Sequence, residues 1–217
     1  MNAVPAESTP SGPEAIVRDI LHGLSEGRYA PGQRLVEPDL MARYGVGRST
    51  VREALGRLAA GGVVAQAPHR GAQIRLLTRR ATRDLLRVTE MMLGLAARQA
   101  AEAVGNGADP GPLVEAAARY TGADADGDSR ARARYYRALI ALGGNAELER
   151  LLPALQVHLI RAQLRAARPT VGAERTALIT AIQNARPDEA ETAARTPIAR
   201  QIASLDTLPD SAFAPEI

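Results

Sequence analysis

The stretch Gly45-Val46-Gly47-Arg48-Ser49-Thr50-Val51-Arg52-Glu53-Ala54-Leu55-Gly56-Arg57-Leu58 decides how the rest of the chain is read. Val51, Ala54, Leu55 and Leu58 stand at i, i+3, i+4 and i+7, which makes one apolar stripe on a helix. Arg48 and Arg52 are four residues apart and share a different face. The Gly-Val-Gly corner before them suits a tight helix-to-helix turn. Ser49 and Thr50 fall at the helix start, where a hydroxyl caps free N–H groups or meets phosphate. One face packs and the other presents two guanidinium forks beside the positive helix end. That arrangement suits a helix laid in the DNA major groove, where Arg bonds guanine O6 and N7 together.

Working outward, residues 37–44 read as the preceding helix, with Pro38 in its first turn and Leu40 and Met41 inward. An earlier helix opens at Pro13 and buries Ile16, Val17, Ile20, Leu21 and Leu24. Gly27 ends it, and a turn brings Leu35 back to the core. After Gly61-Gly62, two short segments around Pro68-His69-Arg70-Gly71 read as a two-stranded wing; Ala72-Gln73-Ile74 alternates as a strand should. Residues 13–77 thus form a winged helix-turn-helix domain behind a tail at 1–12 that is expected to be disordered.

From Thr78 onward the pattern is helical. Helices are expected at 78–104, 113–120, 129–142, 146–167 (kinked or opened by Pro153), 173–184 and 187–205, with a loose tail at 209–217. The fold class is mainly α: the winged domain, then an all-α bundle over 78–208.

Composition agrees. Aromatic residues make up only 3% of a chain that is 46% hydrophobic, so Leu, Ile, Val, Met and Ala must build the core, and these favour helices. Cysteine is absent, which excludes disulfides, thiolate metal sites and a Cys nucleophile. All 27 basic residues are Arg, yet the net charge is +3, so local Arg placement carries the nucleic-acid argument. No apolar run is long enough to span a membrane and the N-terminus has no secretory pattern, so a cytoplasmic location is expected. No nucleophile beside a base, paired acids or phosphate loop stands out, which sets an enzyme aside. Asp124, Asp126 and Asp128 lack the Glu a calcium loop needs and read as a polar loop. Met91-Met92 reads as core filling, and Arg57 as structural or phosphate-directed.

Pro31-Gly32-Gln33-Arg34-Leu35, Gly45 through Leu55 and Pro68 through Gly71 occur in the order and spacing of the GntR family of bacterial transcription regulators, which the first domain resembles. The second domain resembles the all-helical FCD sensor of the FadR subfamily through Asp84-Leu85, Gly94 to Ala97, Tyr136 to Leu139, Gly144-Asn145 and Thr176 to Ile182. The resemblance implies base reading by Arg48 and Arg52, and phosphate or base-edge contacts by Ser49 and Thr50. It places His69, Arg70 and Gly71 at the minor groove or backbone. Pro38 stands where several relatives carry an Arg. Many FCD domains hold a divalent metal with one Asp and three His; the corresponding positions here are Arg132, Tyr136, Arg175 and Pro197, so no metal cofactor is expected. The family's effector-binding Arg falls at Thr89 and its Glu at Leu93. Two fillings of the pocket compete: an organic acid or phosphate held by Arg132 and Arg175, or an acyl compound in a more apolar cavity signalled by Thr89, Met91, Met92 and Leu93. The expected protein is a homodimeric, ligand-responsive repressor on a palindromic double-stranded DNA operator. The competing expectation is a dimer that binds DNA constitutively and whose sensor has lost its ligand.

Overall fold

The computed structural model describes residues 12–67, 71–120, 129–152, 157–165 and 172–216. The chain divides into two units, Met1–Leu76 and Leu77–Ile217.

In the first unit the stripe of residues 51–58 packs as its spacing requires. Helices α1 (Pro13–Glu26), α2 (Glu37–Tyr44) and α3 (Arg48–Ala60) enclose a core in which Ile16, Ile20, Leu24, Val51, Ala54 and Leu55 are buried. Gly27 and Gly45, at φ 85° and 62°, close α1 and α2 in the left-handed conformation that a Cβ disfavours. The sheet has three strands rather than the two expected. β1 (Arg34–Leu35) and β2 (Val64–Ala67) both pair antiparallel with β3 (Gly71–Ile74), in the order β1-β3-β2. Arg34 sits opposite Gln73 and Leu35 opposite Ala72. A two-residue strand carries too little alternation to be distinguished from a turn, and its partner lies far along the chain.

The second unit contains, among the described residues, α4 (Arg79–Gly105), α5 (Gly111–Arg119), α6 (Ser129–Gly143), α7 (Ala146–Leu151), α8 (Val157–Gln163), α9 (Gly172–Gln183) and α10 (Pro187–Ser204). Thr78 caps α4 by accepting a hydrogen bond from the Ala81 N–H at 3.1 Å. Ala96, Ala97, Ala100 and Ala101 are buried on α4 and leave room for neighbouring helices to approach. The approach is close: a Cβ on Gly94 would stand 2.8 Å from the Arg195 side chain of α10. Residues 153–156 and the loop carrying Asp124, Asp126 and Asp128 lie outside the described residues, so the single helix expected over 146–167 is described as α7 and α8.

The tail expected to be loose is packed. Leu205 and Phe213 are buried, and the Arg79 guanidinium lies 4.4 Å over the Phe213 ring. The Ala214 N–H donates to the Leu77 carbonyl at 3.0 Å, and Gln163 Nε2 donates to the Ala212 carbonyl at 3.0 Å. Phe213 is the one Phe of the chain, and its burial holds the segment against α4.

Candidate functional sites

The first two turns of α3 bring together Arg48, Ser49, Thr50 and Arg52. Gly47 occupies the N-cap position and provides no side-chain cap. The Arg48 and Arg52 side chains are 68% and 72% exposed. Both lean over Glu37 at the start of α2: Arg48 Nε lies 3.7 Å from Glu37 Oε2 and Arg52 Nε 3.8 Å from Oε1. Sharing one carboxylate places the two forks on one face. Exposed ion pairs at this distance contribute only about 0–1 kcal/mol, so a phosphate or base edge can displace Glu37. Glu37 is a site residue that the sequence pattern did not single out. Its signal is an acid at the start of the helix preceding the turn.

Arg57, two turns on, bonds Glu14 of α1 and reaches Glu53 at 2.8 Å, which fixes the helix and leaves it a structural role. Gly71 begins β3 at φ 76° and is exposed. His69 and Arg70 lie outside the described residues.

A polar cluster braces α1 against α2. Asp19 accepts from Arg28 at 2.9 Å, Arg43 at 3.3 Å and the Tyr44 hydroxyl at 2.5 Å. Partial burial raises the Asp19 carboxyl, but these donors outweigh it and hold the pKa below the usual aspartate value. Tyr29 packs against Gly23, where a Cβ would stand 2.6 Å from the ring.

The helical unit encloses a cavity of about 480 Å³ lined by residues of α4, α6, α7, α8 and α10. Leu86, Leu93, Ile140, Leu152, Ile160 and Ile198 supply its apolar wall, and Arg132, Arg137 and Arg161 face it with one carboxylate, Glu149. Arg132 is 5% exposed. Arg161 forms no ion pair among the described residues and also lines an adjoining cavity of about 130 Å³. Tyr136 lines both. Burial, with Tyr120 beside it, pushes its hydroxyl above the ordinary value, while Arg132, Arg161 and Arg175 pull it partway back. Tyr136 is therefore a neutral donor amid guanidiniums.

Thr89, Leu93, Arg132 and Tyr136, picked out in the sequence, thus meet in one cavity. The Thr89 hydroxyl donates to the Leu85 carbonyl at 2.8 Å. Arg175 stands apart from them: it lines the smaller cavity, lies 4.0 Å over the Tyr120 ring and donates to the Tyr120 carbonyl at 3.0 Å. Met92 lines neither cavity and packs against the core. Met91, expected as core filling, is 56% exposed. The reason is helical geometry: each step turns about 100°, so of three consecutive apolar residues only Leu93 turns fully inward. Arg161, Glu149 and Gln201 were missed because α8, α7 and α10 reach the cavity from distant sequence, whereas Arg137 adjoins Tyr136 on α6 and was not separated from the basic residues around it.

Arg132, Tyr136, Arg175 and Pro197, which the FCD resemblance would set at metal-ligand positions, line these cavities with no carboxylate or imidazole among them. Among the described residues no group of three His, Cys, Asp or Glu is placed to hold a metal ion. No described helix is long and apolar enough to cross a membrane.

Residues 13–74 match the family of bacterial regulatory proteins, gntR family. No curated protein matches the chain. Among solved structures, one from Rhodococcus sp. RHA1 described as a transcriptional regulator GntR is similar at TM-score 0.75 and 20% identity, covering 91% of this chain and 98% of that one. E. coli McbR/YncC is similar at TM-score 0.73 and 18% identity, covering 91% and 98%. Lar of Listeria monocytogenes, which controls expression of the agr system, is similar at TM-score 0.54 and 19% identity, covering 96% and 100%. At these identities the likeness is one of fold.

Proposed function

Starting from a GntR-family DNA-binding domain over residues 13–74, we propose that the protein is a homodimeric, effector-responsive transcription regulator of the FadR type, acting as a repressor on a palindromic operator. The observation that carries the DNA half is the pair Arg48 and Arg52, exposed on one face at the N-terminal end of α3 and held, among the described residues, only by a distant Glu37. In this reading Arg48 and Arg52 read bases, Ser49 and Thr50 meet phosphate or base edges, and the wing residues His69, Arg70 and Gly71 lie on the backbone or minor groove. Two-fold symmetry of the dimer matches two half-sites.

The helical unit, read as an FCD-type sensor, binds the effector in the larger cavity. Guanidiniums beside an apolar wall suit an amphiphilic anion: a carboxylate or phosphate at Arg132, Arg161 and Tyr136, and an acyl or other apolar body along Leu86, Leu93 and Ile160. Thr89 contributes to the wall. Arg175 orders the tyrosines, and Met92 supports the cavity from the core side. The effector biases the dimer between geometries that fit and do not fit the half-site spacing. A coupling of about 1–3 kcal/mol changes DNA affinity roughly 5- to 150-fold.

The test is binding of selected operator and random duplex, followed by anisotropy, with organic acids, phosphates and acyl compounds added. Arg52→Ala is expected to cost about 1–3 kcal/mol on operator and to relax discrimination at one base pair. Equal loss on both duplexes would remove the base-reading role. Operator binding indifferent to every anion would favour the constitutive dimer.

A further inference from the structure

Helix α4 is two-faced. Its inner face carries Leu86, Leu93, Ala97 and Ala100 into the core. On its outer face Val88, Met91 and Leu95 are 47%, 56% and 40% exposed, large apolar side chains turned away from the unit's own core. Charged residues continue the same stripe: Arg80 and Asp84 before it, Arg98 and Glu102 after it. At about 100° per residue, all seven positions fall within an arc of roughly 80°.

The order of charges along the stripe is self-complementary about Met91. Arg80 and Glu102 each lie eleven residues from Met91, and Asp84 and Arg98 each lie seven. If a second α4 is laid antiparallel on the first with the two Met91 side chains in register, Arg80 meets Glu102 of the copy and Asp84 meets Arg98. Val88, three residues from Met91, then comes within one residue of the level of Leu95, four residues from it. A parallel pairing in register would set like charges opposite each other at all four charged positions. The Arg80, Asp84 and Glu102 side chains are 83%, 60% and 48% exposed, and their ion pairs within α4 are long, at 3.9 Å for Arg80–Asp84 and 3.6 Å for Arg98–Glu102. Arg98 also holds Asp188 and Glu191 of α10, which fixes its stem at the edge of the stripe.

We propose that this outer face of α4 is the homodimer seam, formed by two antiparallel α4 helices crossing at Met91. The proposal rests on the homodimer reading above and adds its surface, its partner and its register. Occupancy by a different protein is disfavoured by the match of each charge to its own mirror position.

The chain has no cysteine, so one introduced thiol is unambiguous. In the full chain, Met91→Cys is expected to form an intermolecular disulfide under mild oxidation. Val88→Cys alone is expected to form none, whereas Val88→Cys mixed with Leu95→Cys is expected to form one. Glu147→Cys, exposed on α7, is the control expected to stay unlinked. Light scattering on the unmodified protein is expected to give twice the chain mass of 22.9 kDa. Met91→Glu is expected to weaken the dimer roughly tenfold or more while leaving the helical circular dichroism unchanged. A dimer whose Met91→Cys form does not link would overturn the seam and leave the homodimer standing. Self-linking of Val88→Cys would overturn the antiparallel register. A mass of one chain at all concentrations would overturn both the seam and the homodimer.

Discussion

Arg52 on α3 is exposed and leans on one carboxylate 3.8 Å away; Arg175 on α9 lies against an aromatic face at 4.0 Å and donates to a backbone carbonyl. The two units thus use one residue type in opposite ways. In the first, the guanidiniums that stabilise the fold (Arg28, Arg43, Arg57) are bound to acids of α1 and α3, and two are left outward at the end of a helix. In the second, arginines line a cavity and order its tyrosines. A chain without lysine can do this because a planar guanidinium stacks as well as pairs. The lesson is that charge counts say little, and that what each arginine rests on separates binding from scaffolding.

Three substitutions sharpen the contrast. Arg175→Ala, the largest, removes a stack and a hydrogen bond and is expected to cost about 1–2 kcal/mol, seen as a lower melting temperature of the helical unit. It should leave the operator affinity of effector-free protein unchanged; a loss of DNA binding without a melting shift would break the comparison.

Asp19→Asn acts within the first unit. The folded Asp19 pKa lies below its unfolded value, so its contribution is present above the unfolded value and is lost as pH falls through the folded one. Acid titration of the unmodified protein should therefore show stability declining below about pH 4, and the Asn variant should show a shallower decline in urea melts over that range.

Glu37→Gln is the smallest. It releases Arg48 and Arg52 and removes a negative charge from the face proposed to meet phosphate. Operator affinity is expected to rise by less than about 1 kcal/mol with no change in melting. A fall in affinity would mean that Glu37 orients the forks.

The same contrast explains what was legible in the sequence. Residues 45–58 announce their helix, buried stripe and outward arginines within fourteen positions, because helical period and the N-terminal turn are local. The cavity is not local. Thr89, Leu93, Arg132 and Tyr136 came to notice through family correspondence, while Arg161 and Gln201 enter it from α8 and α10 and follow no short-range pattern. Met91, Met92 and Leu93 show the limit sharply: composition makes them one apolar run, but only the phase of α4 separates the exposed, the intermediate and the buried. Strand β1 escaped because Leu35 finds its partner Ala72 across most of the unit, and the tail at 209–217 shows no apolar period, its packing resting on the single Phe213.

The tyrosines described above also settle how the protein interacts with light. With five Tyr and no Trp, its near-ultraviolet absorption and emission come from phenols. Two of them, Tyr29 and Tyr44, hold each other's hydroxyls in the first unit. The other three form a chain in the second, with ring centroids 5.7 Å apart from Tyr120 to Tyr135 and 5.0 Å from Tyr135 to Tyr136. At that spacing excitation passes between rings, and one of the three, Tyr136, lines both cavities. The unlabelled protein thus carries its own optical probe, with Tyr136 on the wall of the cavity proposed for the effector and Tyr120 and Tyr135 lining the adjoining one.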